Sequence, residues 1–432
     1  MRKAMKETPL DWKKLTRRDF EIMAPAGSRE SLMAAIDAGA DAVYFGIGAL
    51  NMRSHSAAAF TIDDLKEIAR LCNERGVKSY LTVNTIIYDD DMATMREIVD
   101  AAKEAGISAV IASDVAVMQY CAQKGVSVHL STQLNISNTE ALRFYANFAD
   151  VVVLARELHM GQVAKIHRAI LEEGIKGPSG EPVRIEMFCH GALCMAVSGK
   201  CYMSLHTRGK SANRGGCLQN CRREYRAYDI DRGTELEIDN GYVMSPKDLK
   251  TIGFMDLMIK AGVRVFKIEG RARGPEYVKT VVDCYSEAIE AVLEGRWSEE
   301  VSTSWDDRLA TVFNRGFWDG WYQGRTAAEW TDRYGSQATE KKVYIGKCLK
   351  YYAKPEIGYF LIHGEGFAPG DRLLITGPTT GAVYVTPDEV RREETILERA
   401  DKGMDVTFRI PEKVRENDKL YLIKAVKRED EL

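Results

Sequence analysis

Eight short apolar runs between residues 20 and 270, most followed by an amphipathic stretch that closes on glycine, restrict this chain to parallel β/α architecture. The runs fall at 21–24, 42–45, 79–83, 109–112, 127–130, 151–154, 184–188 and 264–268. Helical periodicity covers 28–38, 61–75, 91–105, 114–124, 139–148 and 160–173 between them, and 275–294 after the last. Gly39, Gly76, Gly106, Gly125 and Gly262 stand where helix C-caps are expected, each leading into the next strand. Eight such units predict a TIM-like (β/α)8 barrel at 19–295, preceded by a polar arm at 1–18. An aromatic-rich connector at 296–341 follows, rich in tryptophan, and packing onto the barrel is favoured over base stacking for it. Short alternating strands with Gly-Asp and Asn-Asp turns then predict a small β-barrel at 342–432.

In such barrels the chemistry gathers where the strands end. Those ends carry Asn84, Gln133, Asn135, Arg156, His190, Lys267, Glu269 and Arg271, a polar set suited to a small polar ligand. His190, Glu269 and Arg271 are the candidates for proton transfer and carboxylate binding, since a guanidinium fork matches a carboxylate. Glu186 points into the barrel and requires a partner there, such as Arg184, Lys267 or a ligand.

The seventh strand opens into a loop at 189–226 that holds four cysteines in a regular frame: Cys194, Cys201, Cys217 and Cys221. Thiolates suit zinc or an iron–sulfur cluster, and a cuboidal cluster takes one thiolate per iron. The spacing is neither a zinc ribbon nor a ferredoxin run, so it indicates a metal without choosing the element. Buried structural thiols are the competing reading, and they are the reading adopted for Cys72, Cys121, Cys284 and Cys348. The same stretch carries Lys200, Arg208, Lys210, Arg214, Arg222, Arg223 and Arg226 against Glu224 alone. A basic loop beside a metal site suits a polyanion, and Asn213, Arg214 and Arg222 are its candidate contacts.

A net charge of −3 on 432 residues attracts no partner by itself. No apolar run reaches the ~20 residues that span a bilayer, and Thr16-Arg17-Arg18-Asp19-Phe20 lacks the apolar stretch that follows an export signal. A cytoplasmic protein is expected, in keeping with nine cysteines, an odd number, in a reducing compartment. Zinc-protease, serine-hydrolase, nucleotide-triphosphatase and dinucleotide-binding motifs are absent; Gly46-Ile47-Gly48 lacks the third glycine of the last.

Glu186-Met187-Phe188-Cys189-His190-Gly191-Ala192-Leu193-Cys194, Ser198-Gly199-Lys200-Cys201, Ser211-Ala212-Asn213-Arg214-Gly215-Gly216-Cys217 and Cys221-Arg222 resemble the collagenase-like proteins of peptidase family U32. Ala24-Pro25-Ala26-Gly27-Ser28, Lys267-Ile268-Glu269-Gly270-Arg271 and Phe313-Asn314-Arg315-Gly316-Phe317 extend the likeness. Despite the family's label, the resemblance implies an oxygen-independent hydroxylase with a 4Fe-4S cluster on Cys194, Cys201, Cys217 and Cys221. The branch it most resembles implies hydroxylation of the wobble uridine of tRNA, with prephenate, a dicarboxylate, as oxygen source and an iron–sulfur electron donor as a further partner. The rival expectations are a peptidase, a hydroxylase of ribosomal RNA or of a quinone precursor, and an RNA-binding protein with structural zinc.

Overall fold

The computed structural model of the protein describes residues 14–54, 60–236 and 242–426. Most of the expected polar arm lies outside the described residues. The eight expected strands all form, with small shifts at their ends: β1 (Glu21–Pro25), β2 (Ala42–Phe45), β3 (Lys78–Val83), β4 (Ala109–Ala112), β5 (Val128–Leu130), β6 (Val151–Val153), β7 (Arg184–Gly191) and β8 (Val263–Ile268). They pair in parallel in sequence order, and β8 closes the ring by pairing with both β1 and β7.

The helices α1 (Arg29–Asp37), α2 (Leu65–Glu74), α3 (Met92–Ala105), α4 (Val115–Lys124), α5 (Thr139–Tyr145) and α6 (Met160–Glu172) alternate with the first strands. Local chemistry sets their limits. Ser28, Asp114 and Asn138 cap helix starts by accepting backbone N–H bonds, and Gly106 and Gly125 close α3 and α4 at φ of 77° and 65°. The remaining helices are α7 (Met203–Arg208), α8 (Met255–Lys260), α9 (Pro275–Leu293) and α10 (Glu299–Ala310).

Two apolar layers result. Met23, Tyr44, Tyr80, Ile111, Val151 and Val265 fill the barrel interior, while the outward faces of the strands join the helices in one large outer core. The N-terminal end of the interior is polar. There Glu21 accepts from Lys78 and from the Tyr80 hydroxyl, with Arg184 at 3.4 Å, so Arg184 is committed to the end opposite the strand termini.

The insertion between β7 and β8 also builds sheet that the periodicity does not reveal. Residues Asp248–Lys250 run antiparallel to the end of β7, and Phe317–Trp318 run parallel to that segment. The connector thereby becomes part of the barrel wall, with Trp305, Trp318 and Tyr322 buried in its core.

Beyond it, eight antiparallel strands between Glu340 and Ala425 enclose a separate core that includes Ile345, Phe360, Phe367, Leu373 and Phe408. This unit sits on α1 and α9. A Cβ on Gly381 would lie 2.7 Å from the Ala34 backbone nitrogen, and Lys342 pairs with Glu276 at 2.8 Å.

Candidate functional site

The side chains on β8 alternate, so Val265 and Lys267 face inward while Phe266 and Ile268 join the outer core. Lys267 Nζ lies 2.7 Å from Glu186 Oε1 of β7, and both groups are buried. Burial pushes the Glu186 carboxyl up despite Lys267, and its Oε2 has no hydrogen-bond partner. Of the partners expected for Glu186, Lys267 is the one in contact.

Above this pair, Glu269 accepts from Arg53 Nη2 at 2.7 Å. Burial raises its pKa, but the guanidiniums of Arg53 and Arg273 outweigh that and hold it at about 2. Arg271 is buried and donates to Asn51 Oδ1 at 3.3 Å and Thr82 Oγ1 at 2.9 Å. Desolvation lowers it to about 10. Cations therefore exceed carboxylates at the mouth: Lys267 and Arg53 each have an acid, and Arg271 has only neutral acceptors among the described residues. Lys267 and Arg271 share the Tyr44 ring, at 4.9 and 5.8 Å from its centroid. Glycine permits this crowding: a Cβ on Gly27 would overlap the Arg271 carbonyl at 1.6 Å.

Arg53, Asn51, Tyr44 and Thr82 are missing from the residues singled out in the sequence. Asn51 and Arg53 stand a few positions beyond the end of β2, so reading further into that loop is the signal that finds them.

His190 does not join this set. The register of β7 against β8 shifts between Lys267 and Ile268, so that His190 pairs with the outward-facing Ile268. Its ring packs among Tyr277, Tyr285 and Phe317 at centroid distances of 5.9, 5.6 and 5.5 Å. Desolvation holds it neutral, with its pKa lowered to about 3. A mouth-facing acid–base histidine is thereby corrected to a packed one, because one bulge reverses the side of the sheet.

Asn84 donates to Gln133 Oε1 at 3.0 Å, and Gln133 Nε2 donates back to the Asn84 carbonyl at 2.8 Å, so these two brace each other. Asn135 adopts a left-handed φ of 54°. Arg156 lies 3.8 Å over the Phe188 ring and donates to the Ala192 carbonyl at 3.0 Å, while its buried Nε has no acceptor.

The cysteine loop folds back onto this mouth. A Cβ on Gly215 would sit 2.6 Å from the Asn51 carbonyl, and one on Gly199 would sit 2.9 Å from Gln133. Ile86 N–H donates to the Asn213 carbonyl, and Arg214 pairs with Asp91 while lying over Tyr88. Arg222 is buried and donates to the Ser245 hydroxyl and to the Pro246 and Leu193 carbonyls. Arg222 is thus a strut of the loop and not a contact for a polyanion. Lys200, Arg208, Lys210, Arg223 and Arg226 are the exposed cations of this stretch.

All four loop thiols are free: Cys194 and Cys217 are exposed, and Cys201 and Cys221 are half-buried. Desolvation first, and to a lesser extent the neighbouring thiolates, pushes Cys194 and Cys221 up. Among the described residues, no three His, Cys, Asp or Glu side chains are already drawn together as a finished cation site. In kind and number the donors suit a four-thiolate cluster.

Beside Cys194 opens a cavity of about 230 Å³ bordered by Arg156, Trp318, Trp321 and Trp330. No helix among the described residues is long and apolar enough to cross a membrane.

The sequence pattern of peptidase family U32 matches residues 27–332. A protein of Porphyromonas gingivalis strain W83 named collagenase is 62% identical over 403 residues, covering 93% of this chain and 97% of its own length. The tRNA hydroxylation protein P1 of Bacillus subtilis is 31% identical over 379 residues, 86% of either chain. The 23S rRNA 5-hydroxycytidine C2501 synthase of Escherichia coli is 34% identical over 278 residues, 64% of this chain and 40% of that one.

Proposed function

Starting from the fact that the chain belongs to peptidase family U32, we propose that it is an oxygen-independent, iron–sulfur-dependent hydroxylase of RNA, acting on the wobble uridine of tRNA with prephenate as co-substrate. The observation that carries this reading is Arg271, a buried guanidinium at the barrel mouth whose partners are neutral. An uncompensated buried cation is costly, and a ligand carboxylate relieves that cost. Relatives named for tRNA and ribosomal RNA modification supply the substrate class.

In this reading Arg271 and Lys267 receive the two carboxylates of the co-substrate across the Tyr44 ring. Glu269, held ionised by Arg53, fixes that arginine. Glu186, with a raised pKa and one unpartnered oxygen, is the carboxyl suited to take or return a proton. Cys194, Cys201, Cys217 and Cys221 would hold the cluster, which supplies one-electron chemistry when bound. The change at the base, C–H to C–OH, balances if the co-substrate's C–OH bond breaks as the new one forms and the displaced hydrogen passes to the co-substrate carbon.

A peptidase, the reading that goes with the collagenase-named relative, requires an activated nucleophile or an open metal position. His190, the histidine at the end of β7, has its ring enclosed by aromatics.

The test is anaerobic purification with iron and sulfide analysis, followed by nucleoside analysis of tRNA from cells with and without the gene. Four irons and four sulfides per chain, and a 5-hydroxyuridine-derived nucleoside lost with the gene, are expected. A colourless protein with one zinc, or tRNA and ribosomal RNA both unchanged, refutes the proposal. Unchanged tRNA with altered ribosomal RNA moves the assignment within the family.

A further inference from the structure

The cavity beside Cys194 opens off the barrel mouth at the ends of β5 and β6, and apart from Arg156 and Glu157 its walls are uncharged and rich in indole. Trp318 and Trp321 meet edge to face, with centroids 5.3 Å apart and planes at 79°, and Trp330 adds a third indole to the lining. Its volume of about 230 Å³ falls below the ~300–1,000 Å³ typical of sites for drug-sized ligands, which suits one ring system.

One buried polar group on its border lacks a partner: Arg156 Nε has no acceptor, and the half-buried Asn135 carboxamide borders the same space. Asn135 closes the short 3-10 turn at 132–134 with a left-handed φ of 54°, a cap that asparagine adopts readily, and this fixes where its side chain leaves the backbone. An amide can read the mixed donor and acceptor edge of a nucleobase, and an arginine N–H can meet a base carbonyl.

We infer that this tryptophan-lined cavity is the receptor for a single pyrimidine extruded from an RNA strand, stacked on indole with its edge toward Asn135 and Arg156. The inference rests on the RNA-hydroxylase reading and adds to it where the base is held. Arg156 makes the two sites neighbours: its guanidinium covers one ring, Phe188, whose centroid is also 5.5 Å from Lys267 Nζ. The base therefore waits at the wall of the charged mouth, close to Cys194, with exposed Lys200, Arg208 and Lys210 on the same loop to meet phosphates. A proline-rich peptide is the other occupant that a tryptophan-lined pocket accommodates. The exposed cations favour RNA.

Anaerobically purified full-length protein is irradiated with a short stem-loop RNA carrying 5-iodouridine in its loop, and the adduct is mapped by mass spectrometry. Attachment at Trp321 or Trp330 is expected. Attachment confined to Tyr44 or Phe188 places the base inside the barrel and overturns the inference. In parallel, Trp321→Leu and Trp330→Leu should each weaken binding of the unmodified stem-loop about tenfold, and Trp330→Phe should retain most of it. Leucine variants that bind and hydroxylate RNA like the parent protein sink this inference and leave the hydroxylase standing. A parent protein that binds no RNA sinks both. Displacement of the RNA by a Gly-Pro-Pro repeat peptide, with the same dependence on the indoles, assigns the cavity to peptide instead.

Discussion

Lys267 and Glu186 form an ion pair of 2.7 Å inside the barrel, one residue layer below the mouth, on neighbouring strands that close the ring. Removing one partner strands the other. Lys267→Met should destabilise the protein by about 3 kcal/mol at neutral pH, measured by urea unfolding. Because burial already pushes the Glu186 carboxyl up, the folded state of that variant holds a proton there, and the loss should shrink as pH falls toward the ordinary carboxylate range. A loss that does not depend on pH argues against a charge origin.

Glu269 has the opposite sign. Its folded pKa of about 2 lies below the ordinary 4.5, so its contribution is complete above 4.5 and disappears as pH falls through 2. The amount at stake is about 3 kcal/mol. His129 and His167, lowered to about 4 by burial, lose their contributions earlier, between 6.5 and 4. Acid titration of stability in Arg53→Met should therefore lack the late component and keep the early one.

Arg271→Met separates stability from function. Its acceptors remain satisfied, since Asn51 Oδ1 also takes the Arg53 N–H and the Thr82 hydroxyl also donates to the Phe45 carbonyl. The variant should be at least as stable as the parent protein, gaining up to about 1 kcal/mol, while RNA hydroxylation falls about 100-fold. His190→Phe should leave activity within a few-fold, as expected of a ring that packs among aromatics. Inactivity of a well-folded His190→Phe, or full activity of Arg271→Met, reverses these roles.

Gly215→Ala tests how the cysteine loop is seated. At φ of 82° the alanine is strained, and its Cβ would meet the Asn51 carbonyl at 2.6 Å. The loop must lift from the mouth. Iron bound per chain should fall while the circular dichroism of the barrel stays the same. An unchanged iron content shows that the seat does not hold the four cysteines.

Much of this was legible in the amino-acid order. Strand and helix periods, capping residues and C-cap glycines are local properties, so the eight strands could be read within a few residues and the four loop cysteines stood out by spacing. Chain order also places Lys267, Glu269 and Arg271 at the end of the last strand, where barrels keep their ligands.

Pairing and orientation could not be read there. One extra residue in β7 turns His190 from the mouth to an aromatic packing site, and no hydropathy pattern records a bulge. Arg222 looks like a surface cation until its guanidinium is seen satisfying three buried oxygens. Arg53 meets Glu269 across 216 residues, and Trp318 and Trp330 reach Cys194 from a segment more than a hundred positions away. Such contacts depend on how the closed sheet brings its loops together, and that juxtaposition exists only once the ring has closed.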